Sequence, residues 1–210
     1  MARINVVFDF GAVLFGWEPR NLLTQAFPHR IASPAQAATL ATQVFGHADW
    51  QAFDAGLLSQ AQVVDRTHAR TGLDLPVWSQ LVDTIGTGLQ PIASSLAVLA
   101  DLRVQRQAGV DIGLYFLSNM PEPYARALER NHVFLSWFDD GIFSGDVKLI
   151  KPDAAIFELA TQRFKLQGSH TVFIDDMQTN IDASCAHGWQ GVHLPTPGDM
   201  RSLLSARLPL

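Results

Sequence analysis

Short apolar runs that stop abruptly at polar residues set the rhythm of this chain. Residues 4–8 (Ile-Asn-Val-Val-Phe) stop at Asp9, residues 112–117 at Ser118-Asn119, and residues 171–174 at Asp175-Asp176. Within the first run, residues 6–8 predict a fully buried strand, and the other two runs predict strands of the same kind. After Leu14 the pattern changes to helices and short loops, and strands do not resume until about Ile112. Within that stretch Ser33-Pro34-Ala35-Gln36 and Ser59-Gln60-Ala61-Gln62 each offer a Ser N-cap with Gln at the third helical position. Gly72 is placed to stop the second of these helices.

Beyond Pro91 strands and helices alternate. The pattern predicts a helix to about residue 105, a strand over 112–117, a helix over 123–130 and a short strand at 142–143. A helix over 154–164, a strand over 171–174, a helix over 181–186 ending at Gly188, and a strand over 190–193 follow. Such alternation implies βαβ units and a parallel sheet covered on both faces. The expectation is an α/β core with a Rossmann-like parallel sheet, formed by residues 1–15 and 91–210, interrupted by an α-helical insertion over residues 16–90.

Three of the polar clusters fall at the carboxyl ends of strands, where open α/β sheets place their chemistry. Lys151-Pro152-Asp153 forms a fourth cluster. A carboxylate such as Asp9 is a competent nucleophile toward phosphorus only when a divalent cation offsets repulsion between the two anions. Mg²⁺ prefers a few oxygen ligands, which the paired acids Asp175-Asp176 can supply. The Ser118 hydroxyl, the Asn119 amide and the Lys151 ammonium offer donors for phosphoryl oxygens and for the charge that builds as the ester bond breaks. Each cluster alone has a plainer explanation as a turn or a helix cap. Their coincidence at the strand ends of one α/β pattern is what favours Mg²⁺-assisted phosphoryl transfer.

Composition narrows the field further. The 210 residues are 48% hydrophobic and 17% charged, with a formal net charge of −5 and no basic run. Neither a nucleic-acid surface nor an anionic-membrane surface is expected, and no apolar run has the length of a membrane span. The lone Cys185 rules out an intrachain disulfide and a thiolate metal site, so a cytoplasmic setting is expected. The seven histidines show no paired ligand spacing. Trp17 follows the Asp9 loop closely enough to line a pocket, and Arg20, with Glu18, is a candidate for substrate contact.

The segments Val6-Val7-Phe8-Asp9-Phe10-Gly11-Ala12-Val13-Leu14, Phe116-Leu117-Ser118-Asn119, Lys151-Pro152-Asp153 and Phe173-Ile174-Asp175-Asp176 with Asn180 resemble, in order, the four motifs of the haloacid dehalogenase (HAD) superfamily. The resemblance implies the HAD fold with a helical cap and an aspartyl-phosphate formed on Asp9. It also implies phosphate binding by Ser118, and Lys151 stabilising nucleophile and phosphate. Mg²⁺ would be held by Asp9, the Gly11 carbonyl and Asp176, with Asp175 acting through water or Lys151, while Asn119 orients the nucleophile or its loop. In one respect the chain departs from the family's phosphatases: the second Asp usual two residues after the nucleophile is Gly11 here, so the general acid/base is unassigned. The Asp-x-Gly-x-Val form resembles a branch that includes sugar-phosphate phosphatases, whose anomeric leaving group needs less protonation. A small phosphorylated metabolite, with a sugar phosphate favoured, is the expected substrate. Two alternatives stand beside it: a metal-independent 2-haloacid dehalogenase, against which the paired acids speak, and an attenuated binding or regulatory protein.

Overall fold

A computed structural model describes residues 3–205 and 207–208. Strand β1 (Ile4–Phe8) is followed by five helices, α1 (Pro19–Ala26), α2 (Pro34–Phe45), α3 (Ala48–Asp54), α4 (Gln60–Thr71) and α5 (Leu75–Gly88). Helix α6 (Ala93–Gln107) then leads into β2 (Ile112–Ser118), α7 (Glu122–Asn131), β3 (Asp140–Phe143), the short α8 (Ser144–Val147) and α9 (Ala154–Phe164). The chain continues through β4 (Thr171–Asp175), α10 (Gln178–Ala186), β5 (Gln190–His193) and α11 (Met200–Ser205).

The five strands form one parallel sheet in the order β3-β2-β1-β4-β5. Side chains along β1 alternate between faces, so Val6 and Phe8 join one apolar cluster and Val7 the other. The first cluster continues into the helices after β1 and includes Trp50, Phe53 and Trp78. The second packs β4 against α9 and α10 through Phe157, Phe173 and Trp189. Because the chain leaves β1 toward β2 and later returns to β4 on its other side, the order of strands reverses beside β1. That is where open α/β sheets form a crevice at their carboxyl ends. Phe8 pairs with Ile174, so Asp9 and Asp175 leave the sheet at the same level.

Local signals explain most helix ends. Ser59 and Gln62 form a reciprocal capping box, and Gly72 ends α4 in the left-handed region at φ 64°. The expected box at Ser33 is half made: Ser33 accepts from the Gln36 N–H, but Gln36 Oε1 accepts from Ala32 instead of Ser33. Helix α10 begins at Gln178, three residues before the expected start, because Asp175 Oδ1 accepts the Met177 N–H at 2.8 Å and supports the first turn from outside it.

The chain enters and leaves the five-helix stretch side by side. Phe15 bridges to Pro91, Gly16 N–H donates to Gln90 at 2.8 Å, and Ile92 N–H donates to Leu14 at 2.8 Å. Helix α5 packs on α7, and α3 on α8. No helix among the described residues is long and apolar enough to cross a membrane.

Candidate active site

Asp9 follows β1, and its N–H donates to Ile174 O at 2.9 Å, tying it to β4. Its Oδ1 lies 2.8 Å from Lys151 Nζ, and the same ammonium donates to Asp175 Oδ2 at 2.7 Å. Both Lys151 and Asp175 are buried. Asp175 is further held by Asn180 Nδ2, at 2.9 Å to Oδ1 and 3.0 Å to Oδ2. Every lone-pair direction of that carboxylate is spent inside the protein, so Asp175 acts as a strut for Lys151 and the loop before α10. Asp176, half-buried, enters no ion pair among the described residues, and its carbonyl oxygen lies 2.9 Å from His193 Nε2.

Ligand oxygens of Asp9, Asp175 and Asp176 lie within 4.8 Å of one another. Three carboxylates thus face one ammonium, leaving two negative charges in excess. Burial, followed by repulsion from Asp175 and Asp176, pushes the Asp9 carboxyl up to about 7 against the opposing pull of Lys151. Burial and the Asp175 charge push Asp176 to about 6. Burial opposes the Lys151 charge, but Asp175 and Asp9 overcome it and raise its pKa. A hard divalent cation would relieve this excess, and an all-oxygen donor set suits Mg²⁺. The Ser118 hydroxyl, buried at the end of β2, has no hydrogen-bond partner among the described residues, and Asn119 next to it lines the cavity over Asp9.

Two expectations change. Asn119 spends both ends of its amide on the Lys151 backbone, donating to its carbonyl at 2.9 Å and accepting from its N–H at 2.8 Å. These two bonds position the lysine and leave one Asn119 N–H free at the cavity that the residue lines. Arg20 lies exposed on the first turn of α1 and does not line the cavity above Asp9.

That cavity has a volume of about 230 Å³. Gly11, Asn119, Lys151 and Asp176 contribute to its floor beside Asp9, and Trp17, Phe45, Trp50, Ile85, Leu89 and Tyr124 to its wall. The rings of the wall interlock: Phe45 meets Trp50 edge to face at 4.6 Å between ring centroids and Trp17 at 5.2 Å. An ideal Cβ on Gly11 would lie 3.8 Å from the Trp17 side chain, so the indole borders the place where a longer residue would project.

One further acid lines the cavity: Asp54, the last residue of α3, which sequence reasoning did not single out. A signal was present, because a carboxylate at a helix C-terminus opposes the helix dipole and has no local reason to be there.

Comparison with known proteins agrees with this arrangement. Residues 6–188 match the model of the haloacid dehalogenase-like hydrolases, and the chain belongs to that family. It is 26% identical over 190 residues to a sesquiterpene phosphatase, astK, of Aspergillus oryzae, covering 90% of this chain and 88% of that protein. Among solved structures it is similar to a HAD family enzyme of Bacteroides thetaiotaomicron in complex with magnesium and inorganic phosphate. The TM-score there is 0.69 at 17% identity, over 91% of this chain and 94% of that one. It also resembles the L-2-haloacid dehalogenase of Xanthobacter autotrophicus, at TM-score 0.65 and 17% identity over 98% and 84% of the two chains. The chain is therefore a hydrolase of the HAD family with the family's α/β core.

Proposed function

We propose that this hydrolase cleaves a small phosphomonoester with Mg²⁺, by way of an aspartyl-phosphate on Asp9. The observation that carries the reading is the Lys151 ammonium held at 2.8 Å from Asp9 and 2.7 Å from Asp175, beside a third carboxylate with no counter-ion among the described residues. In this reading Asp9, the Gly11 carbonyl and Asp176 hold the metal, and Asp175 contributes by fixing Lys151. The bound metal would supply charge neutralisation between nucleophile and phosphoryl oxygens. Lys151 keeps one Asp9 oxygen oriented and offsets charge on the phosphoryl group, while the Ser118 hydroxyl, unpartnered among the described residues, would donate to a phosphoryl oxygen. The similarity to the fungal phosphatase supports this chemistry over dehalogenation.

The residues between 16 and 90 act as the cap over a core made of 1–15 and 91–210, and their side chains select the alcohol. The sequence alone favours a sugar phosphate, but the cavity wall favours an apolar or aromatic alcohol. Trp17, Phe45, Trp50, Ile85 and Leu89 offer surface to bury and few hydrogen-bonding groups for sugar hydroxyls, and hydroxyls buried without partners are costly. At about 230 Å³ the cavity is smaller than the ~300–1,000 Å³ typical of drug-sized ligands, so a short alcohol, or the head of a longer one, fits inside. The similarity to a sesquiterpene phosphatase supports the same direction. A cytoplasmic setting, in keeping with the lone Cys185, belongs to this reading.

The test is phosphate release from benzyl, prenyl and glucose phosphates, with and without Mg²⁺, by the wild type and by Asp9→Asn. Mg²⁺-dependent release that is lost in the variant and ranks the apolar esters first supports the proposal. Release without metal refutes the proposed metal dependence, and a preference for glucose 1-phosphate refutes the assignment of the alcohol.

A further inference from the structure

Gly11 leaves the site without an acid at the position after the nucleophile where one would be expected, yet cleavage of an alkyl phosphate ester calls for a proton on the departing oxygen. We infer that Asp54, reaching the cavity from α3, is the general acid and base of the reaction. The inference rests on the phosphatase reading above and adds to it the group that moves the proton.

Four observations support it. Asp54 lines the same cavity as Asp9, Lys151 and Asp176. Its carboxyl is influenced only by burial and by the charge of Asp9; no hydrogen bond or ion pair engages it among the described residues. Both influences raise its pKa well above the ordinary carboxylate value, the direction that a proton donor needs. Lastly, its backbone is anchored to the core. Ser144 Oγ, at the start of α8, donates to Asp54 O at 2.5 Å and accepts the Met120 N–H at 2.8 Å, joining the end of α3 to the loop after β2.

The next turn of chain is held as closely. Gly56 has φ +66°, and a Cβ there would come within 2.4 Å of Gly145 O, so backbone lies directly against backbone. Phe53 packs edge-on against Tyr124, whose hydroxyl donates to Val82 O at 2.8 Å. A carboxyl that served only to shape α3 would face solvent or cap a helix start; this one is turned into an apolar chamber at a helix end, where it is disfavoured.

The proton balance closes with this residue alone. Asp9 attacks phosphorus as the ester P–O bond breaks, and the bonding pair leaves with the alcohol oxygen, which takes the proton of Asp54. Water then attacks the phosphorus of the aspartyl-phosphate and gives a proton to the Asp54 carboxylate. The Asp9–phosphorus bond breaks back to a carboxylate, and phosphate leaves with both residues restored.

The test compares wild type, Asp54→Asn and Asp54→Glu with p-nitrophenyl phosphate, whose leaving group departs as a stable anion, and with benzyl phosphate, whose leaving group does not. Thermal denaturation confirms that each variant is folded. Asp54→Asn should lower steady-state turnover of both esters by ~10²–10⁴-fold. It should nonetheless release one equivalent of p-nitrophenol per site in a burst, with aspartyl-phosphate trapped on Asp9, and give no burst with benzyl phosphate. Asp54→Glu should restore part of the turnover. A loss of less than about tenfold, or an equal loss on both esters with no burst, would overturn the role of Asp54. Failure of the wild type to release phosphate from either ester overturns the phosphatase reading itself and removes Asp54's role with it.

Discussion

Asparagine substituted separately at Asp175 and Asp176 should give opposite results, although the two acids are adjacent in sequence. Asp175 takes Lys151 and Asn180 on Oδ2, at 2.7 and 3.0 Å, and Met177 N and Asn180 on Oδ1, at 2.8 and 2.9 Å. Asparagine keeps one acceptor and turns the other into a donor that must face the Asn180 amide or the Lys151 ammonium. The loss is one charge-assisted hydrogen bond, ~1.5–3 kcal/mol, together with a buried donor left unpaired, ~1–3 kcal/mol. Reduced repulsion on Asp9 and Asp176 offsets part of this, leaving a net destabilisation of about 3 kcal/mol. For a chain of this length that lowers Tm by roughly 6–12 °C.

Asp176→Asn breaks no ion pair and removes a charge that repels Asp9 and Asp175. In EDTA its stability should lie within about 1 kcal/mol of wild type or slightly above it. Mg²⁺ at a hundred times its Kd should stabilise wild type by ~2.7 kcal/mol and leave Asp176→Asn almost unmoved. Urea denaturation of the three proteins in EDTA and in MgCl₂ reads all of these quantities. An Asp175→Asn variant as stable as wild type would refute the strut, and an Asp176→Asn variant that keeps the full Mg²⁺ shift would refute the ligand.

Other perturbations give equally direct readings. Because the folded-state pKa of Asp54 lies above its unfolded value of 3.8, the native state binds the extra proton, and Asp54 costs stability as pH rises beyond that value. The groups sharing its cavity are Asp9, Lys151, Asp176 and Tyr124. Asp54→Asn should therefore gain on wild type as the pH rises above about 4 in EDTA, and a constant difference in urea midpoint would show the carboxyl to be solvated. Gly56→Ala places a Cβ 2.4 Å from Gly145 O at φ +66° and should cost ~2 kcal/mol or more while slowing phosphate release. Gly109→Ala, at φ +98° in open space, is its control and should lose stability but not activity. Met177, 53% exposed yet lining the cavity, offers apolar surface at its mouth. Met177→Asn should raise KM for benzyl phosphate by about three- to tenfold with little change in kcat, matching ~1 kcal/mol of lost burial; a fall in kcat alone would contradict this.

The core of the site was legible because each part ends a strand. Asp9, Ser118 and Asp175 are the polar residues at which apolar runs stop, and parallel pairing of β1 with β2 and β4 brings such ends together without further information. Lys151 was legible from its neighbour Pro152 and the helix that follows. The function of Asn119 was only half legible, since its partner is the backbone of a residue 32 positions away. Asp54 was legible only as an acid at an unfavourable helix end, for a related reason: its approach to the cavity depends on Ser144, 90 positions along the chain, and on glycines at 56 and 145 that meet only in the folded state. A helix start says nothing about which way the first turn faces, and Arg20 lies on the exposed side of α1, outside the cavity lining. The apolar wall needs Trp17, Phe45, Trp50 and Leu89 from four separate segments, a grouping that no local pattern contains.

The bridge of Phe15 to Pro91 brings the two ends of the five-helix segment side by side. A segment that leaves and returns at one point can be exchanged as a cassette with little demand on the rest of the chain. Here the cassette carries Asp54 as well as most of the wall, whereas Asp9, Lys151 and Asp176 stay behind. Evolutionary or engineered replacement of residues 16–90 would change the choice of alcohol and the source of its proton in one event. A graft chosen for shape alone would inherit a phosphorylatable aspartate with nothing to finish the turnover.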